Sequence, residues 1–311
     1  MTTILGAGGA ISNELGKLLA ARHTPFRLVG RNPNPLPGSE ICKADLADRE
    51  QTIRAVAGSS VVFLLAGLKY DLEVWQDLWP RIMANAVEAC KRAGARLIFF
   101  DNVYMYGKVD GPMTENTRYA PSSKKGEVRA KIATALMDEV KAGGLSAMIA
   151  RSADFYGPGA QNGVPNLLVL EPLSKGSRAS WLVNASMPHS LTFTPDAAQG
   201  LVMMAERNVA WNQVWHLPTA PDPPTGKEFI AMAAKAFGVD PKYRVLSRPM
   251  LRVAGWFNPL VGESYEMLYQ SDSAYLFDST KFAQEFGFAG TPYAEGIRIA
   301  VDSYQRKAQG S

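Results

Sequence analysis

The stretch that most constrains this chain is Gly6-Ala7-Gly8-Gly9-Ala10-Ile11-Ser12. A short, β-prone apolar run, Thr2 to Leu5, leads into it, and Leu15, Leu18 and Leu19 follow at helical spacing. The pattern is strand, glycine turn, helix, the opening half of a βαβ unit. Glycines at 6 and 9 let the backbone turn sharply and approach a ligand closely, while the first N–H groups of the helix face an anion. The spacing is G-x-x-G-x-x-S. It departs from G-x-G-x-x-G because Ile11 stands at the last glycine position. An ordinary tight turn is the competing reading, but a turn directly after an N-terminal strand favours a dinucleotide. Its pyrophosphate is expected on Gly9, Ala10 and Ile11, with Gly6 also among the cofactor-binding residues.

A second apolar strand, Phe26 to Val29, ends at Gly30-Arg31-Asn32, about 20 residues past the loop, where an adenosine ribose is read. An acid there would accept the 2′-hydroxyl of NAD. Arg31, with no acid beside it, instead favours the 2′-phosphate of NADP. Ile41 to Leu46 reads as a third strand, with Asp45 placed to cap the next helix and Leu46 to flank an adenine. Ser60 to Gly67 is a fourth, and the residues at its end, Ala66, Gly67 and Leu68, let a cofactor ribose near the backbone. A helical pattern from about Asp71 to Ala93 contains Pro80, which is expected to kink or divide it. Arg96 to Phe100 is the fifth strand.

Continuous apolar strands alternating with helices imply an α/β fold, a doubly wound parallel sheet covered on both faces. From about Tyr156 the sequence turns irregular and rich in Gly, Pro, Trp and Met, with a brief strand at Trp215 to Leu217. The expected division is residues 1–155 as the dinucleotide-binding domain. Residues 156–311 form a smaller substrate-binding lobe interleaved with the last sheet strands.

Composition narrows the classes. No run of eighteen apolar residues exists, so no membrane span and no membrane partner are expected. The strand begins at Thr2, which is not a secretory signal pattern. Two cysteines, Cys42 and Cys90, are too few for a disulfide framework or a zinc site, and no His/Cys/Asp cluster has metal spacing. A cytoplasmic setting is expected. A dispersed net charge of +4 suits an anionic cofactor and gives no nucleic-acid footprint.

Further along, Asp101-Asn102-Val103-Tyr104-Met105-Tyr106-Gly107 resembles the extended short-chain dehydrogenases/reductases, the NAD-dependent epimerase/dehydratase family. In that family the fifth strand ends in a serine or threonine four residues before a Tyr-Gly pair. Here Tyr106-Gly107 matches and Asn102 takes the hydroxyl position. Glu115 and Pro121, the Arg151 to Pro158 stretch, Phe193 to Ala198, Asp278 to Lys281 and Phe286 to Phe288 also resemble family segments. The resemblance covers nearly the whole chain and implies a Rossmann fold with a nicotinamide cofactor.

It breaks at the chemistry. The family's Tyr-x-x-x-Lys pair becomes Lys125 and Arg129 on the same count, and Tyr119 is followed four residues later by Ser123. Arginine can bond a ribose and stays protonated. Lys125 donates a proton only if its pKa falls from about 10.4, and otherwise is a solvated side chain. Tyr104, two residues past Asn102 and on its side if the strand alternates, sits where the resemblance places a dehydratase acid. It is either that acid or an aromatic wall.

The second lobe supplies an aromatic and thioether-rich set: Trp181, Met187, His189, Phe193, Trp256, Tyr265, Met267 and Tyr269. Most are expected in the core. Nucleotide-sugar enzymes carry an arginine for the diphosphate before the late strand. This chain has His189-Ser190 there, and Glu263 to Tyr275 holds no Arg or Lys. The expected function is an NADP(H)-binding oxidoreductase that reduces a carbonyl or activated alkene of a small organic substrate. A nucleotide-sugar epimerase or dehydratase and a non-catalytic NADP(H) sensor are the alternatives. A homodimer is compatible with all three.

Overall fold

The apolar runs read as strands pair side by side in one parallel sheet. The computed structural model describes residues 1–309. In chain order its elements are β1 (Thr2–Leu5), α1 (Ala10–Ala21), β2 (Phe26–Gly30), β3 (Ser39–Lys43), α2 (Arg49–Val56), β4 (Val61–Leu64) and α3 (Leu72–Ala93). Next come β5 (Arg96–Asp101), α4 (Lys124–Lys141), β6 (Ala147–Arg151), β7 (Asp154–Tyr156), α5 (Glu171–Ser174), β8 (Ala179–Leu182) and β9 (Leu191–Phe193). The chain ends with α6 (Thr194–Glu206), β10 (Val214–His216), α7 (Gly226–Phe237), β11 (Tyr243–Leu246), α8 (Arg248–Phe257), α9 (Pro259–Ser264), α10 (Thr280–Phe286) and α11 (Tyr293–Gln309).

Two units result. The first comprises residues 1–107, 119–152 and 197–217, and the second residues 108–118, 153–196 and 218–311. The first unit holds a seven-stranded sheet of order β3-β2-β1-β4-β5-β6-β10, parallel throughout. This is the doubly wound, Rossmann-like arrangement. The strand order reverses between β1 and β4, and ligands of such sheets bind beyond the carboxyl ends at that point. Leu5, Leu64, Leu97, Phe99 and Ile149 join Trp75, Trp79, Met83 and Leu136 in its core. In the second unit β7 pairs with β9 and β8 with β11. Tyr156, Leu170, Trp181, Phe193, Phe229 and Ile297 form its core.

Three local expectations need correction. Pro80 does not divide α3, which runs unbroken through it. Pro80 is exposed, so its missing N–H falls on the solvent side. Trp75, Trp79, Ile82, Met83, Ala86 and Cys90 hold the other face against the core. The cap of α2 is Asp48, which accepts from the Gln51 backbone N–H, whereas Asp45 closes a tighter turn onto Ala47. The third strand starts earlier than read, at Ser39, and is a half-exposed edge strand.

Candidate active site

The glycine loop is held from two sides. Gly6 and Ala7 both donate backbone N–H bonds of 2.9 Å to the Val29 carbonyl at the end of β2. Gly6 has φ +92°, and a Cβ there would collide with the Ala66 backbone after β4. The loop therefore lies at the β1/β4 switch point because residue 6 lacks a side chain. Ser12, in the position of a third glycine, locks the turn: its Oγ accepts from Gly8 N at 3.0 Å and donates to Gly9 O at 2.9 Å.

Gly9 is the N-cap of α1, with no side-chain cap and no acid in the first turn. The N–H groups of Ala10 and Ile11 have no acceptor inside the helix, as at any helix start. A Cβ on Gly9 would meet only Ser12 Oγ, at 3.9 Å, and its φ of −80° suits any residue. The space in front of the helix is open, and these donors fit a pyrophosphate.

Arg31 is exposed at the carboxyl end of β2. One strand over, Lys43 is exposed as well and is the register partner of Gly30. Sequence reading missed this second cation, and only the β2/β3 register reveals it. Asp45 is exposed, with Oδ1 accepting from Ala47 N at 2.9 Å. Leu46 is buried, and Ala66, Gly67 and Leu68 follow the end of β4.

Along the carboxyl edge of the sheet, β5 stops at Asp101, and Tyr104–Tyr106 form a 3₁₀ turn. Alternation along a strand therefore does not set the relation of Tyr104 to Asn102. Instead the Asn102 side-chain oxygen accepts from Tyr104 N at 3.0 Å and shapes the turn. The half-buried Tyr104 ring stacks on Trp75 at 6.2 Å and 13°. Trp75 in turn meets the edge of Tyr70 at 5.5 Å.

Lys125 is only 1% exposed, with Nζ 4.9 Å from the centre of the Tyr70 ring. The solvated alternative for this residue does not hold. Arg129 is 3% exposed and has a carboxylate partner that its spacing did not reveal. Its Nε donates to Asp101 Oδ1 at 2.7 Å, and Nη2 pairs with the same carboxylate. Its guanidinium lies 4.3 Å from the Trp79 ring centre and 5.0 Å from that of Phe99.

Asp101 faces a second guanidinium. Arg151 is fully buried, with Nε 3.6 Å from Asp101 Oδ2 and Nη1 donating to Tyr106 Oη at 2.6 Å. Its Nη2 bonds Tyr119 Oη, and Tyr106 Oη lies 2.8 Å from His216 Nε2. Burial works against the charge on Arg151, but Tyr106, Asp101 and Tyr119 outweigh it and hold the group protonated. The carboxyl ends of β5 and β6 thus enclose two cations around one carboxylate. Such a cluster carries net positive charge, which suits an anionic or electron-rich ligand nearby.

Within the second unit, His189 Nε2 lies 3.0 Å from Asp154 Oδ2, and the imidazole stacks on Tyr275 at 4.3 Å. Of the aromatic and thioether set, Trp181, Phe193 and Met267 are buried, whereas Met187 is 37% and Trp256 76% exposed. Among the described residues no group of three His, Cys, Asp or Glu could hold a metal.

Residues 2–215 match the NAD-dependent epimerase/dehydratase family. The 3beta-hydroxysteroid-dehydrogenase/decarboxylase isoform 2 of Arabidopsis thaliana is 23% identical over 88% of this chain. The chain spans about half of that relative, 53% of its length. Among solved structures, gox2253 superposes over 99% of both chains with a TM-score of 0.82 and 18% identity. Thermus thermophilus UDP-glucose 4-epimerase in complex with NAD has a TM-score of 0.78 at 18% identity, covering 98% of each chain. The dTDP-glucose 4,6-dehydratase DesIV of Streptomyces venezuelae, a double mutant with NAD and DAU bound, has a TM-score of 0.82 at 16% identity. It covers 100% of this chain and 98% of its own. These structures are alike in fold.

Proposed function

The chain belongs to the NAD-dependent epimerase/dehydratase family, and on that premise we propose that it is an NADP(H)-dependent oxidoreductase reducing a carbonyl or activated alkene of a small organic substrate. The open helix start at Gly9, Ala10 and Ile11 is the observation that carries the cofactor assignment. Exposed Arg31, with Lys43 on the neighbouring strand, supports a 2′-phosphate over the bare ribose of NAD. Both similar structures named above with a bound nicotinamide dinucleotide hold NAD, so this preference is the chain's own.

When bound, the nicotinamide supplies a hydride. The chain then has to supply a proton and hold the ring in place. Tyr104 is the proposed donor. Its ring stacks on Trp75, which also lies within 5.7 Å of the Arg129 guanidinium, and a phenol positioned beside the reacting carbon can serve as a general acid. Asn102 fixes the Tyr104 turn through its side-chain oxygen and retains its amide N–H₂ as a donor. Arg129 is held by Asp101, so its contribution is fixed positive charge at the start of α4. Lys125 is the alternative acid.

Asp154 and His189, both in the second unit, support a substrate without a diphosphate. The family resemblance puts an asparagine at position 154 and a diphosphate arginine near 189. A carboxylate bonded to an imidazole repels a diphosphate and accepts hydroxyl or N–H groups instead. The relative named as a hydroxysteroid dehydrogenase also supports alcohol/carbonyl redox chemistry. Nucleotide-sugar epimerisation or dehydration is the second reading, favoured by the family assignment itself. The test is NADPH consumption across a panel of small ketones, aldehydes and enones, run beside thermal unfolding with nucleotide sugars. Turnover on the panel supports the proposal. Stabilisation by nucleotide sugars with an inert panel overturns it in favour of the second reading.

A further inference from the structure

β2 ends at Gly30 and β3 begins at Ser39, and no helix lies between them. The joining strap, Arg31-Asn32-Pro33-Asn34-Pro35-Leu36-Pro37-Gly38, holds three prolines in eight residues. A proline fixes its own φ at about −65° and keeps the residue before it extended. Every residue from Asn32 to Pro37 is therefore restricted by its own ring or by the next one. Among the described residues no backbone hydrogen bond reaches Arg31 to Pro35. These restrictions and the packing of the strap set its course.

Its far end is tied down. Ser39 N donates to Leu36 O at 3.0 Å across Pro37 and Gly38, and Gly38 has φ +74°. Proline second and a positive-φ glycine third make a type II turn. Ser39 Oγ donates to the same carbonyl at 2.7 Å and accepts from Leu36 N at 2.9 Å. Leu36 seats its side chain in a notch on α1, where a Cβ on Gly16 would lie 2.4 Å from Leu36 Cδ1. Gly16 is buried in the middle of α1, where helix propensity favours alanine. The glycine makes room for Leu36. Pro33, between this anchor and Arg31, is buried as well.

The strap is thus fastened to the helix whose first turn is the proposed pyrophosphate site, with exposed Arg31 at its other end. On the NADP(H) reading given above, we propose that the 31–38 strap is a preorganised arm that aims Arg31 at the cofactor's 2′-phosphate. Leu36, in the Gly16 notch, is its positioning residue. A strap ordered before the cofactor arrives avoids the entropy loss that a flexible loop incurs on binding. NADH offers Arg31 no phosphate, so its affinity does not depend on the knob. A merely structural role for Leu36 would affect both cofactors alike.

Fluorescence titration of the parent, Leu36→Ala, Leu36→Met, Gly16→Ala and Arg31→Ala with NADPH and NADH tests it. Leu36→Ala removes the knob, and Gly16→Ala fills its notch. Each should weaken NADPH binding about three- to tenfold, the effect of freeing one rotamer-rich side chain, and leave NADH nearly unchanged. Leu36→Met keeps an apolar knob and should bind NADPH like the parent. If Leu36→Ala fails to fold, Gly16→Ala carries the test, because alanine suits a helix interior. Parent-like NADPH affinity in both knob variants, beside a weakened Arg31→Ala, overturns the role of the strap and leaves the NADP(H) reading standing. Equal losses for both cofactors in the knob variants also overturn it, since the strap then only supports the fold. A parent that does not prefer NADPH, with Arg31→Ala unchanged, overturns the NADP(H) reading and the role of the strap with it.

Discussion

Asp101 and Arg129 form an ion pair from which solvent is excluded, with side-chain exposures of 0% and 4% and an Nε to Oδ1 distance of 2.7 Å. The pair joins the end of β5 to α4, the helix on which the family resemblance places its catalytic residues. Arg129 is therefore a structural cation as well as a candidate ribose contact. The fork geometry explains an arginine here, because a lysine makes a point contact and cannot fill it.

Removing the carboxylate strands two buried guanidinium groups, those of Arg129 and Arg151. Asp101→Ala is expected to cost about 3–5 kcal/mol of stability. Arg129→Lys should cost less but still be measurable. Denaturant unfolding of both variants checks this, and a loss below about 1 kcal/mol for Asp101→Ala contradicts the assigned role.

Tyr104→Phe keeps the ring stacked on Trp75 and removes only the hydroxyl. If Tyr104 donates the proton, turnover should fall by about 10²–10⁴ with NADPH affinity nearly unchanged. An active Tyr104→Phe beside a dead but folded Lys125→Ala moves the acid to Lys125.

The two thiols should differ. Burial pushes the Cys90 thiol up to about 12, whereas Cys42 is half-buried on the edge strand β3. At pH 8 Cys90 is protonated as well as enclosed, so iodoacetamide should label native protein at Cys42 alone. Both should react after unfolding, and mass spectrometry of peptides distinguishes them. Rapid native labelling of Cys90 contradicts the packing of α3 on the sheet.

Glycines 6 and 9 have separable roles. A side chain at 6 strikes the Ala66 backbone, but one at 9 projects into open space before α1. Gly6→Val should therefore lose stability outright. Gly9→Val should unfold like the parent and bind neither cofactor. Micromolar NADPH affinity in folded Gly9→Val removes the pyrophosphate site from this loop.

Much of this was legible in the sequence, for reasons that are local. Phe26 to Val29 and Arg96 to Phe100 are continuous apolar runs, and a parallel sheet buries both faces of such strands. The glycine loop was legible because its spacing is tied to one backbone path. What escaped the sequence was set at a distance. Asp101 reads as an ordinary strand-end residue, and its partners Arg129 and Arg151 come from α4 and β6. Asp45 and Asp48 are equally good caps by composition, and the three-residue spacing from Asp48 to Gln51 decides between them. Strand alternation could not place Tyr104 because β5 stops at Asp101 and Tyr104 opens a 3₁₀ turn that Asn102 ties. Trp256 belonged to a set expected mostly inside. Hydropathy cannot tell a core tryptophan from one 76% exposed on α8.

The proposed preference for NADP(H) over NAD(H) rests most directly on Arg31, and fluorescence titration of parent and Arg31→Ala with NADPH and NADH tests it. The account predicts tighter NADPH binding by the parent. It also predicts that the substitution weakens NADPH by about 1.5–3 kcal/mol, the size of a charge-assisted bond, and leaves NADH nearly unchanged. Equal losses for the two cofactors, or tighter NADH binding by the parent, would contradict it.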